Sequence, residues 1–101
     1  MRLNTQQQSA IRATVAETFG AGSAVWVFGS RVDDSKRGGD IDLLIQTNLV
    51  DINALMRAEI TLLTQLQRKL GEQKIDILLD YPTRTSRPPI LAIAKQTGIL
   101  L

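Results

Sequence analysis

Two aspartates, Asp40 and Asp42, stand one residue apart in the run Gly39-Asp40-Ile41-Asp42-Leu43-Leu44-Ile45. In an extended strand, side chains two apart point to one face. Both carboxylates therefore project together, while Ile41 and Leu43 turn to the other side. Like charges this close raise each other's cost of ionisation and resist the loss of water. A cation is the natural compensation. The chain contains no histidine and no cysteine. That removes imidazole and thiolate metal ligands, the serine–histidine triad and thiol nucleophiles together. What remains is carboxylate oxygen, which suits Mg²⁺, an ion that commonly shares its shell with substrate phosphates. A same-face pair can ligate two ions, which in two-metal sites lie about 3.5–4 Å apart.

A third carboxylate, Asp76, lies between Ile75 and Ile77. If its strand neighbours that of Asp42, it faces the same site and completes an acidic triad. It is then the best candidate to take a proton from an attacking hydroxyl. Asp80 is a rival, but it ends the strand before Tyr81-Pro82, and a turn role fits it better. Upstream, Gly29-Ser30 closes an apolar run, with nine residues between Ser30 and Asp40. A glycine there lets the backbone turn and approach a ligand closely. A serine opening a helical turn offers its hydroxyl and nearby N–H groups to phosphate. Arg31, Lys36 and Arg37 add positive charge to the same loop, whereas Asp33 and Asp34 read as loop surface. No Gly-Lys-Ser/Thr follows the glycines, so this is not a P-loop.

These residues need elements to hold them. Thr5 to Phe19 reads as a helix, with Thr5 and Gln8 as a capping box and Ala10, Ile11, Val15 and Phe19 as its apolar stripe. Ala24 to Phe28 suits a buried strand in which Trp26 is a core residue. Residues 31–39 form a loop opening with a short helical turn. Ile41 to Ile45 is a second strand. Asp51 caps a long helix whose inward face is Ile52, Leu55, Met56, Ile60, Leu63, Leu66 and Leu70. Ala58 and Leu62 lie off that stripe and widen it, which hints at a partner. Arg68, Lys69 and Gly71 end the helix. Lys74 to Leu79 is a third strand, Tyr81 to Arg87 a connector, and Pro88-Pro89 opens a last helix that Gly98 stops. Ile99-Leu100-Leu101 is an apolar tail that docks on the core or on another subunit. The expectation is an α+β fold over residues 1–101 as one domain. A small mixed sheet of about three strands is flanked by helices, in the order α-β-α-β-α-β-α.

The pattern FGSRVDDSKRGGDIDLLI, followed by KIDILL, resembles the signature of the polymerase-β-type nucleotidyltransferase superfamily. That signature is a Gly-Ser after a strand, a spacer, an Asp-x-Asp bracketed by apolar residues, and a later carboxylate within an apolar strand. The small size is similar to the minimal nucleotidyltransferases, the MntA-like antitoxins encoded beside HEPN-domain toxins. The resemblance implies that Gly29 and Ser30 hold the triphosphate of a nucleotide and that Arg31 contacts phosphate. It implies Asp40 and Asp42 as Mg²⁺ ligands, with Asp76 as third ligand or base. It further implies ATP as donor and transfer of AMP to a tyrosine hydroxyl of a HEPN ribonuclease, which the modification silences. Gly38-Gly39 stands where many relatives have Ser-Asp, a departure that bears on substrate detail more than on metal binding.

Composition bounds the alternatives. The 101 residues are 44% hydrophobic and carry a net charge of only +2, far from the concentrated positive charge of a dedicated nucleic-acid binder. Aromatic residues make up 4%, which leaves Tyr81 as the one candidate for stacking on a base. No apolar run approaches the roughly 18 residues of a membrane span. The polar, Gln-rich Met1–Ala10 is unlike a signal peptide. A cytoplasmic protein is expected. Beside the enzyme stands a reading from another class, a non-catalytic antitoxin that neutralises its partner by complex formation. A small-molecule nucleotidyltransferase would generally carry an added acceptor-binding domain.

Overall fold

A computed structural model of the chain describes residues 3–29 and 40–101. Its architecture is α+β. Helix α1 (Thr5–Phe19) leads into β1 (Ala24–Phe28), then β2 (Ile41–Gln46), α2 (Ile52–Leu70), β3 (Ile75–Asp80), α3 (Pro89–Thr97) and β4 (Ile99–Leu100). The helical turn expected between the first two strands falls outside the described residues.

The sheet is mixed, in the order β3-β2-β1-β4. Strand β1 runs antiparallel to both β2 and β4, and β2 runs parallel to β3. The long crossover through α2 is what allows the parallel pair. The described residues thus hold four strands where the sequence suggests three. The apolar tail is the difference. Ile99 pairs with Val27, Leu100 with Trp26, and the Leu101 N–H donates to the Val25 carbonyl at 2.9 Å. An apolar segment gains by pairing with the edge of β1 and covering apolar surface at once.

Alternation sorts the sheet into two faces. Val25, Val27, Ile41, Leu43 and Ile45 turn to one side and form the main core with Ile11, Val15 and Phe19 of α1 and Leu55, Leu62 and Leu66 of α2. Burying these side chains is the largest favourable contribution to the fold, at roughly 1.5–3 kcal/mol for each large one. The opposite face carries a smaller cluster, Leu44 with Leu91 and Ala94 of α3, flanked by Trp26, Phe28 and Leu78. Trp26 belongs to it and is half-buried, with the Lys95 ammonium 5.4 Å from its ring centroid.

Two local expectations shift. The capping box of α1 is built one residue earlier, from Asn4 and Gln7 in place of Thr5 and Gln8. Gln7 N–H donates to Asn4 Oδ1 at 2.8 Å and Asn4 N–H to Gln7 Oε1 at 2.9 Å. Asparagine caps at least as well as threonine, and Gln8 instead donates to the Leu3 carbonyl. In α2 the inward stripe is rotated. Leu55, Ala58, Leu62 and Leu66 are buried, whereas Ile52, Met56 and Ile60 are exposed at 51%, 56% and 62%. The spacing 55-58-62-66 is as helical as the expected one. Ala58 and Leu62, expected beside the inward stripe, are part of it.

Candidate active site

The acidic site is assembled by strand register. β2 and β3 run parallel with Asp42 directly beside Asp76, and β1 ends with Phe28 beside Asp42. Both aspartates lie on the α3 side of the sheet, the face of Leu44 and Leu78. Asp40 immediately precedes β2, and its carboxylate lies 3.4 Å from the Lys74 ammonium. The structure therefore brings Asp40, Asp42 and Asp76 to one end of one sheet face.

Gly29 closes against this group. Its φ is +76°, and a Cβ there would fall 2.4 Å from Asp42 Oδ2. The left-handed backbone favours glycine, and any side chain there would have to push the Asp42 carboxylate aside. Of the phosphate-side residues expected from sequence, only Gly29 is described. Ser30, Arg31, Lys36 and Arg37 lie outside the described residues.

Electrostatics follow from the crowding. Partial burial, the charges of Asp76 and then Asp40, and a hydrogen bond with the Asp76 side chain all push the Asp42 carboxyl above the ordinary carboxylate range, and Lys74 pulls it back in part. Two carboxylates side by side on neighbouring strands, with a third at the same end, are an all-oxygen donor set. That fits a hard divalent cation. Among the described residues, no three acidic side chains stand close enough to close a shell around one ion as placed. The Asp40 carboxylate is drawn to Lys74, so joining Asp42 and Asp76 around a metal requires it to leave that ammonium.

The other candidates go elsewhere. Asp80 sits at the opposite end of β3, beside Gln46, and is nearly fully buried. It accepts from Arg87 and, at 2.8 Å, from Lys95, so it ties the connector and α3 to the sheet. Tyr81 follows it and packs on the main core with Arg84 over its ring, which takes it away from the acidic end. A cavity of about 390 Å³ lies between α1 and α2, walled by Glu17, Arg57 and Gln65 among others, on the far side of the sheet from the aspartates. Lys74 is the site residue that sequence reasoning missed. The available signal was its place two residues before Asp76, which by strand alternation puts both on one face.

Comparison of the sequence with protein-family models and with curated proteins gives no match. The functional reading therefore rests on this site and on the residue pattern that forms it. No helix among the described residues is long and apolar enough to cross a membrane.

Proposed function

We propose that the chain is a Mg²⁺-dependent nucleotidyltransferase that moves AMP from ATP to a protein hydroxyl, a tyrosine of a HEPN ribonuclease toxin, and so acts as an antitoxin. One observation carries the reading: Asp42 and Asp76 stand side by side in register, with Gly29 closed against Asp42. The resemblance of the FGSR…GGDIDLLI…KIDILL pattern supplies the reaction class. Work on an intracellular toxin makes the cytoplasm its compartment.

In this reaction the acceptor oxygen attacks the α-phosphorus, the bond to the bridging oxygen of the β-phosphate breaks, and pyrophosphate leaves. Two Mg²⁺ ions, when bound, would neutralise phosphate charge and lower the acceptor's pKa. Asp40 and Asp42 would hold them from one strand. Asp76 would share in ligation or take the acceptor's proton, within reach because β3 lies beside β2. Gly29 brings the backbone close to Asp42, and Ser30 and Arg31 would meet the triphosphate.

The test combines the protein, Mg²⁺, ATP labelled on the α-phosphate, and the product of the adjacent reading frame. Label transfer that Asp42→Ala reduces at least about a hundredfold supports the enzyme. A second reading, neutralisation by complex formation alone, is favoured by one feature. Val50, Ile52, Met56 and Ile60 are exposed apolar residues around α2, a surface on which another protein could settle. Full inhibition of the toxin by Asp42→Ala without labelling would select that reading.

A further inference from the structure

The chain carries its own cation into the acidic site. Ile41 pairs with Ile75, and the Ile41 N–H donates to the Lys74 carbonyl at 3.0 Å. The parallel register therefore fixes Lys74 opposite Asp40, with little freedom for either backbone. By alternation Lys74 shares its face with Asp76, and Asp40 shares its face with Asp42. The Lys74 ammonium reaches to 3.4 Å from Asp40 Oδ2, and its charge also favours the ionised form of Asp42. Its side chain is 71% exposed. Such a pair is held weakly and broken easily.

We propose that Lys74 is a resident counter-cation of this site, which holds Asp40 while no metal is bound and moves to a phosphate oxygen of the nucleotide when metal takes the carboxylates. The inference rests on reading the acidic group as a divalent-cation site. Three features of the residue suit the exchange. An ammonium on a four-carbon stem is a point charge that can swing between anions without the fixed fork geometry of arginine. Its backbone is pinned to β2, so the swing starts from a constant place. Its release costs little, because water screens the pair at the exposed strand end. Lys74 is a competitor for metal before nucleotide arrives and a contributor to nucleotide binding afterwards, so removing it should act with opposite sign on the two ligands.

The experiment measures both on the intact chain at low ionic strength. Mn²⁺ binding without nucleotide is followed by the loss of the free-ion electron paramagnetic resonance signal. A fluorescent ATP analogue is then titrated at saturating Mn²⁺. Lys74→Gln should bind Mn²⁺ roughly two- to fivefold more tightly than wild type and the ATP analogue several-fold more weakly. Lys74→Arg should stay near wild type for both. Arg12→Gln removes the same charge from α1, on the far side of the sheet, and should change neither. Wild-type Mn²⁺ binding with an unchanged or weaker Lys74→Gln overturns the role of Lys74 while leaving the metal site standing. Wild-type protein that binds no Mn²⁺ overturns both. An equal gain in Arg12→Gln would reduce the effect to net charge and overturn the proposal.

Discussion

The α3 face of the sheet carries acidic residues at both ends, and the two ends behave oppositely. At one end Asp42 and Asp76 meet across β2 and β3, and Asp42 is pushed up by burial and by its acidic neighbours. At the other, about 13 Å along β3 at four residues' rise, burial also pushes Asp80 up. There the hydrogen bonds and charges of Lys95 and Arg87 outweigh it, and its carboxyl ends below the ordinary range. One carboxylate is answered by cations belonging to the fold. Among the described residues the others crowd each other, with the exposed Lys74 3.4 Å from Asp40. An acid that the fold neutralises has a structural task. Acids gathered at the fold's expense need something from outside, and here a nucleotide-bound metal is the proposed answer.

The largest effect expected is on catalysis. Asp42→Ala should abolish label transfer to within a hundredth of wild type, while Asp80→Asn, at an equally acidic position of the same face, should retain transfer at temperatures where it is folded. Comparable losses in both would erase the distinction between the two ends. On stability the order reverses. Asp80→Ala leaves Arg87 and Lys95 without their shared anion. It should cost about 2–3 kcal/mol in urea unfolding, less than the roughly 3–5 kcal/mol of a fully buried pair because both cations are partly exposed.

The same contrast sets a pH dependence. Asp80 has a folded pKa below its unfolded value of about 3.9. Its contribution is therefore full above that value and is lost as pH falls through the folded one. Asp42 has a raised folded pKa, so its contribution is full below the unfolded value and is lost as pH rises through the folded one. Measured by urea unfolding against wild type, the deficit of Asp80→Asn should shrink toward acid pH. Any advantage of Asp42→Asn should open between acid and neutral pH. Parallel profiles for the two variants would contradict the opposite shifts.

Gly29 tests how tightly the acidic end is built. Gly29→Ala places a methyl group against Asp42 Oδ2 in a left-handed backbone. The backbone alone should cost about 1–2 kcal/mol, and the displaced carboxylate should weaken Mn²⁺ binding as well. Gly71, also left-handed at φ +83° but with open space around its Cβ position, gives the control. Gly71→Ala should lose stability with no change in metal affinity.

Much of this layout was legible in the sequence, for identifiable reasons. The strands 24–28 and 41–45 and the Asp40–Asp42 face follow from short apolar runs, strand alternation and glycine punctuation, which are local. That Asp76 would join them depended on β3 lying beside β2, a non-local pairing on which the sequence offered only a conditional. The rotated stripe of α2 was hidden because Ile52, Met56 and Ile60 outscore Ala58 in hydrophobicity, while packing selects for shape. The pairing of Lys74 with Asp40 was hidden because register decides it. The role of Asp80 was hidden because its partners come from 7 and 15 residues away.

The smallest effect is the most direct measure of the cost of the acidic end. Without metal, Asp42→Asn removes one member of a crowded carboxylate group while keeping its shape and a hydrogen-bonding partner for Asp76. Since the folded state holds that charge less well than the unfolded chain does, the variant should melt a few degrees above wild type near neutral pH. Adding Mg²⁺ should then raise the melting temperature of wild type, because a ligand bound only by the native state stabilises it, and should raise that of Asp42→Asn less. Removing the ion with a chelator should restore the original order. A metal-free variant less stable than wild type would mean that Asp42 is held by the fold as Asp80 is, and the two ends of the sheet would no longer differ in kind.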